Sequence, residues 1–441
     1  MFDTVPVSPL FAPLTLPNGA VLTNRLAKAA MEENMADHEH LPGKALCRLY
    51  AAWSKGGVGL ILSGNVMIDP TALTGPGGVV LDASQPLEPF REWARAARSG
   101  GNHAWLQISH PGRQVMKAMG QGAVAPSAIG VQIEGASHYF PTPRALEAEE
   151  IATVIERFAT AAAMAEQAGF TGVEIHAAHG YLISQFLSPL SNRRTDEWGG
   201  SLANRARLLL EVVKAVRARV SPGFCVGVKL NSADFQKGGF AAEDAVQVVR
   251  WLNDLPVDLV ELSGGSYESP AMAGAPKDGV VNPREAYFVD FAREIGAVAR
   301  MPIMVTGGIH RRTVAERALE PKDGRPGVAV VGIATALAFQ PTLPMKWRAG
   351  AMPDVAIQQV RWKKKVFASL AAMAVVKVQL HRIGAGRAPK RNVSPLLALI
   401  GSQLEAARRT RRYKAWIARR GPEAPEGAKP SSPSDECNRP W

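Results

Sequence analysis

The 441-residue chain is 46% hydrophobic and 20% charged, enough apolar content to bury a full core and unlike the charge-rich composition of a disordered protein. Its three cysteines, Cys47, Cys225 and Cys437, lie far apart with no C-x-x-C spacing, which argues against an iron–sulfur cluster and for a reducing compartment. The formal charge of +12 is uneven: from Thr342 onward there are 20 Lys and Arg against 6 Asp and Glu, leaving 31 against 33 before it, so the basic character belongs to the tail.

The opening MFDTVPVSPLFAPL has no basic n-region and no long apolar run, so no secretory signal is expected and the expected location is cytoplasmic. No run of about 18 apolar residues is visible, so no transmembrane segment is expected. Between residues 20 and 341, short β runs alternate with helical runs, the pattern of a parallel α/β fold. Eight strands are predicted, at Arg25–Met31, Val58–Asn65, His103–Ser109, Gly172–His176, Phe224–Asn231, Asp258–Ser263, Pro302–Thr306 and Val328–Ile333. Helices fall between them, for example over 149–168, with a Glu-rich first turn and Gly169 as its stop. Eight such units predict a closed (β/α)8 TIM barrel with its active site at the strands' C-terminal ends. An open doubly wound sheet is the runner-up, but no Gly-rich turn sits between a strand and a helix as a dinucleotide fingerprint requires. The segment 110–148 is long for a βα connection and reads as a lid or substrate loop.

Three segments are expected: a barrel over 1–341, a helical basic C-terminal extension over 342–420, and a disordered tail over 421–441 that lacks apolar periodicity. In the extension, Phe367, Leu370, Met373, Val376 and Leu380 recur at near-helical spacing, which predicts packing against the barrel. Its charges are expected to be solvated helix faces, with no nucleic acid as partner.

The chemistry concentrates in VEIHAAHGYLISQFLSPLSNRRTDEWGGSLANR, residues 173–205. His176 ends a strand, His179 follows by three residues, and Tyr181 opens a loop that runs to Ser201, a helix cap. Two imidazoles and a phenol at a strand's mouth can grip a polar oxygen and deliver a proton nearby. A zinc pair is the competing reading of H-x-x-H, but no further ligands stand at usable spacing. Two structural histidines are the other alternative. At the predicted phosphate-binding loops after strands seven and eight, the chain has PIMVTGGIH and VVGIATAL. Gly307 and Gly308 let backbone N–H groups approach an anion, and a helix starting near Thr335 points its positive end there.

This stretch, through SPLSNRRTDEWGGSLANR, closely resembles the Old Yellow Enzyme family of flavin-dependent ene-reductases, and the resemblance spans about residues 8–341. It implies FMN as cofactor, NADH or NADPH as reductant, and an enone or enal as small-molecule substrate. It also implies that His176 and His179 hold the substrate carbonyl and Tyr181 protonates carbon. Gln107 matches the glutamine on the flavin's pyrimidine edge and Lys229 the basic residue beside its N1 and O2; a barrel-internal ion pair is the alternative for Lys229. Ala29, Ala30 and Met31 match strand-one contacts and Asn65 a strand-two contact, while Ala334 and Thr335 occupy the phosphate position. There, many members have Gly-Arg, so the clamp lacks a cation. Glu32 stands where many have Cys or Thr, either near the flavin carbonyl or in solvent. Asn34 replaces an aromatic of some members, so no second phenol is expected beside Tyr181. Arg439 resembles an arginine that some relatives insert into a neighbour's site; homo-oligomerisation is left open. Two other functions stay in view: a dienoyl-CoA-reductase-like enzyme lacking the usual cluster and second flavin domain, and a non-catalytic flavin-binding protein.

Overall fold

The structure is a computed structural model that describes residues 8–270, 286, 288–353 and 355–420. Cys437, Arg439 and the predicted disordered segment lie outside the described residues. Eight parallel strands close into a barrel: β1 (Leu26–Lys28), β2 (Leu60–Met67), β3 (His103–Ser109), β4 (Gly172–Ala177), β5 (Cys225–Asn231), β6 (Leu259–Ser263), β7 (Ile303–Thr306) and β8 (Val330–Ile333). Closure comes from β8 pairing with β1 and β1 with β2. Each predicted strand lies at its expected place: His103–Ser109 is unchanged, and the other seven are trimmed or extended by one to three residues at one or both ends.

The outer ring and its connections hold α1 (Lys44–Ser54), α2 (Glu88–Ala97), α3 (Ala148–Gln167), α4 (Leu182–Leu187), α5 (Leu202–Arg219), α6 (Ala242–Leu252), α7 (Val289–Gly296), α8 (Arg312–Leu319), α9 (Thr335–Phe339) and α10 (Leu343–Arg348). Helix α3 starts with a capping box between Glu147 and Glu150, and Gly169 follows it at φ 90°, a conformation that favours glycine after a helix end. Ser201 caps α5 by accepting the Asn204 N–H at 3.2 Å. A short hairpin, Leu14–Thr15 with Val21–Leu22, supplies Leu16 and Leu22 to an apolar cluster with Leu60, Trp105, Cys225, Leu259, Met304 and Val330. That cluster fills the lower barrel.

The extension is helical. It consists of α11 (Lys365–Gly384) and α12 (Pro395–Arg420), which pack on each other and on the barrel. The face that packs differs from the predicted one. Leu380 is buried, but Phe367 and Met373 are exposed, and Ala371, Ala374, Val375 and Ile383 take the inner face. Small alanines let α11 approach closely, so large residues are displaced outward. One window of α11, Val366–Gly384, is long and apolar enough on average to cross a membrane, with a mean hydropathy of 1.4, although Lys377, Gln379, His381 and Arg382 interrupt it. In the fold, α11 lies against the barrel: Gly384 O accepts from Arg48 Nε at 2.7 Å, and Gln379 is fully buried.

Candidate active site

Strand alternation turns every second side chain into the barrel, so the interior is layered. Above the apolar layer lies a polar one, where Gln107 Nε2 donates to Glu174 Oε2 at 2.7 Å and Lys229 Nζ donates to Glu261 Oε1 at 2.7 Å. All four are buried. Burial and the Glu261 charge push the Glu174 carboxyl well above the usual range, while the Lys229 ammonium holds Glu261 below it. Burial thus favours the neutral form of Glu174, while the Lys229–Glu261 ion pair places opposite charges side by side in this layer.

The next layer up contains the predicted triad. His176, near the end of β4, faces Lys229 in register and is buried. Its Nδ1 accepts the Ala178 N–H at 3.3 Å, which leaves Nε2 to carry the proton of the neutral ring. His179 sits at φ 61°, a left-handed conformation that costs a non-glycine residue about 1 kcal/mol. Three contacts hold it: its N–H donates to Asn231 Oδ1 at 3.1 Å, its C=O accepts from Gln114 Nε2 at 3.0 Å, and its Nε2 meets Ser263 Oγ at 2.8 Å. That backbone turn lets both imidazoles reach one spot. Their ring centroids are 5.1 Å apart, and the Tyr181 ring packs edge-on to His176 at 4.8 Å. Burial holds both histidines well below their ordinary pKa, aided at His176 by His179 and at both by Lys229, so both rings are neutral at pH 7.

The expectation of a single phenol is corrected here. Tyr267, in the loop after β6, places its hydroxyl 3.0 Å from that of Tyr181. Burial, then Tyr267, then the Glu32 charge raise Tyr181 well above its usual pKa; burial and Glu32 do the same to Tyr267. Both stay protonated. Tyr267 is 86 residues from Tyr181 in the chain, beyond any local motif. Its position just past a barrel strand's C-terminal end, in SGGSYESP, was the one usable sign.

The predicted cofactor positions share this end of the barrel. Ala29 is buried where β1 ends, with Ala30 and Met31 partly exposed beyond it. The loop they begin is held by Glu33, which accepts from the Tyr50 hydroxyl and from Gly64 N–H at 3.3 Å. Asn65 on β2 is buried and donates to Thr74 Oγ1 at 3.3 Å. Glu32 is turned into its own loop: its Oε1 accepts from Thr74 Oγ1 at 2.5 Å and from Asn34 Nδ2 at 3.0 Å. Asn34 in turn accepts from Lys377 Nζ of α11. Gly307 and Gly308 follow β7, with Gly308 at φ 68°, and Ala334–Thr335 follow β8, the adjacent strand. Helix α9 has only five residues, so its dipole is small and an anion there relies on individual N–H groups.

This donor set fits FMN. Gln107 and Asn65 offer amides, Lys229 keeps two ammonium protons beyond the one given to Glu261, and two glycines precede the phosphate position. The remaining motif residues hold the loop. Asn192 Nδ2 donates to the Phe186 and Trp198 carbonyls at 2.8 Å each, and Arg205 Nε donates to Leu187 O at 2.8 Å.

Residues 9–352 match the model of the NADH:flavin oxidoreductase / NADH oxidase family. An NADH-dependent flavin oxidoreductase of Neonectria sp. (strain DH2) is 38% identical over 356 residues, 75% of this chain but 46% of that protein, so the chain spans about half its length. Another so named, from Hypocrea jecorina (strain QM6a), is 37% identical over 353 residues, 75% of this chain and 87% of its own. Among solved structures, the Old Yellow Enzyme homologue from Zymomonas mobilis superposes with a TM-score of 0.67 at 25% identity, covering 79% of this chain and 94% of that one.

Proposed function

Since the chain belongs to the NADH:flavin oxidoreductase / NADH oxidase family, whose cofactors are FMN and a reduced nicotinamide, we propose that it reduces the activated C=C bond of α,β-unsaturated carbonyl compounds in a ping-pong cycle. NADH is the favoured reductant, because the relatives from Neonectria and Hypocrea are named for it. FMN, when bound and reduced, supplies the hydride for the β-carbon. The chain's own residues do the rest.

The carrying observation is the pairing of a neutral His176 Nε2–H donor with a phenol packed against the same ring. A carbonyl oxygen placed at His176 and His179 receives hydrogen bonds that strengthen as it gains enolate charge. Tyr181, still protonated, stands beside that spot to give its proton to the α-carbon. Tyr267 then replaces the hydrogen bond Tyr181 loses, steadying a phenolate that burial would otherwise disfavour. Gln107, Asn65 and Lys229 would hold the flavin ring, and the 307–308 and 334–335 loops its phosphate. The Glu261 partner tempers the stabilisation Lys229 gives to negative charge on a reduced ring.

Anaerobic reduction of the yellow protein with NADH or NADPH, followed by cyclohexenone, tests the reading. Flavin should bleach with the nicotinamide and recover on adding the enone. Bleaching without recovery on any enone or enal would leave a flavin oxidoreductase but remove the ene-reductase. Acid-released flavin should be FMN, one per chain.

A further inference from the structure

The extension carries an uncommon combination of charge and exposure. Residues 355–404 contain nine Lys and Arg and not one Asp or Glu. The same stretch exposes Val366, Phe367 and Met373 on α11 and Leu396, Leu397, Ile400 and Leu404 on α12, with Leu397 70% and Leu404 67% exposed. These seven are most of the large apolar side chains exposed anywhere among the described residues. On α12 they fall at 396, 397, 400 and 404, one side of a 3.6-residue helix. The other half of α12 is anchored, with Tyr413 and Trp416 buried and the Tyr413 hydroxyl donating to Pro70 O at 2.9 Å. One helix therefore begins with Ala398 buried against α11 and an apolar face exposed, and ends docked beside the barrel's mouth.

We propose that the α11–α12 hairpin is a peripheral attachment site for an anionic lipid surface. Exposed leucine, isoleucine, methionine and phenylalanine side chains enter the headgroup–acyl boundary, and exposed Arg361, Lys363, Lys364, Arg387, Lys390 and Arg391 meet the negative headgroups. The charge decides against the other occupants. Two copies meeting through this face would bring two sets of unneutralised cations together, and a water-soluble anionic polymer would leave the leucines in water. Nucleic acid binding also favours several aromatic platforms for stacking, and Phe367 is the single aromatic among these seven exposed side chains. The window in α11 is long enough to cross a bilayer, but Gln379 is fully buried within the protein and Lys377 is bound to Asn34, so the helix lies on the membrane and does not span it.

The experiment uses the full-length holoprotein sedimented with vesicles of phosphatidylcholine alone or with roughly a third phosphatidylglycerol, at low and high salt. Binding to the anionic vesicles should exceed that to the neutral ones by about tenfold or more and weaken with salt. Leu397→Asp/Leu404→Asp should abolish it while leaving the flavin spectrum and enone turnover in solution unchanged, since both residues are solvent-exposed. Lys363→Gln/Lys364→Gln/Arg391→Gln should reduce it severalfold. Failure of the wild-type protein to sediment with either vesicle overturns the proposal. So does light scattering that shows a dimer which Leu397→Asp/Leu404→Asp converts to monomer without any vesicle binding, because the face then belongs to a second copy.

Discussion

Tyr181 and Tyr267 make different demands on a substitution. Tyr181→Phe should leave FMN binding and nicotinamide-driven reduction nearly intact and slow enone reduction by roughly a hundredfold, the scale for losing a positioned proton donor. Tyr267→Phe keeps the donor and removes its hydrogen bond, so the loss should be smaller, about tenfold, and should move the pH profile. A nitroalkene, whose nitronate can leave and protonate in water, should be spared by both changes. Stopped-flow reoxidation with the two substrates distinguishes the roles; equal losses on both would make Tyr181 a binding residue. The histidines make a pH prediction. An unfolded histidine titrates near 6.5, while folded His176 and His179 lie well below it. Between those values the unfolded chain binds more protons, so stability is full above about 6.5 and falls as pH drops, by up to ~1.4 kcal/mol per unit for each histidine. Urea midpoints at neutral and mildly acid pH should show this slope, and His176→Asn/His179→Asn should flatten it. His176, His179 and Tyr181 were legible in the sequence because they share six residues of chain. Tyr267 was not, because loop closure across the barrel brings it there.

At the scale of elements, strands were readable because each inner residue is buried on both sides and the runs are continuously apolar, as in β5, where every residue is buried. The facing of α11 was not readable. Its apolar residues nearly encircle it, and the choice between Met373 and Ala374 for the inner face depends on how closely α1 and α9 approach. Helix α12 is clearer. Its aromatic end rests on the loops after β1, β2 and β3: Trp416 packs on His40 with ring centroids 4.5 Å apart, and Tyr413 donates to Pro70 O at 2.9 Å and accepts from Gln121 Nε2 at 2.8 Å. Trp416→Ala should therefore cost about 3 kcal/mol of local packing and free α12 before the barrel opens. Pulsed proteolysis checks this: cleavage within 395–420 should rise sharply in the variant while the barrel fragment persists. Simultaneous loss of both would place Trp416 in the common core.

For the whole molecule, the charge imbalance was plain in the sequence, but its exposure and its nearness to the site were not, since both depend on where the extension docks. It docks on the loops that frame the mouth. Arg409 donates to Ala36 O at 2.9 Å, Arg420 pairs with Asp82 at 2.7 Å, and Lys377 reaches Glu32 through Asn34. The loop that begins with Ala30 and Met31, and the loop that follows β2 beyond Asn65, thus lie between the proposed cofactor position and the extension. Binding that stabilises those loops must then stabilise α11 and α12 as well. FMN at about a hundred times its dissociation constant adds ~2.7 kcal/mol to the state that binds it. Adding FMN to the apoprotein should therefore raise the unfolding midpoint and protect residues 395–420 from protease in parallel, at one FMN dependence. Protection of the barrel with α12 still cleaved at its apoprotein rate would show that the two share contacts but not stability. Coincident protection means that the extension reports the state of the flavin site, and Lys377→Met should uncouple the two while leaving both folded.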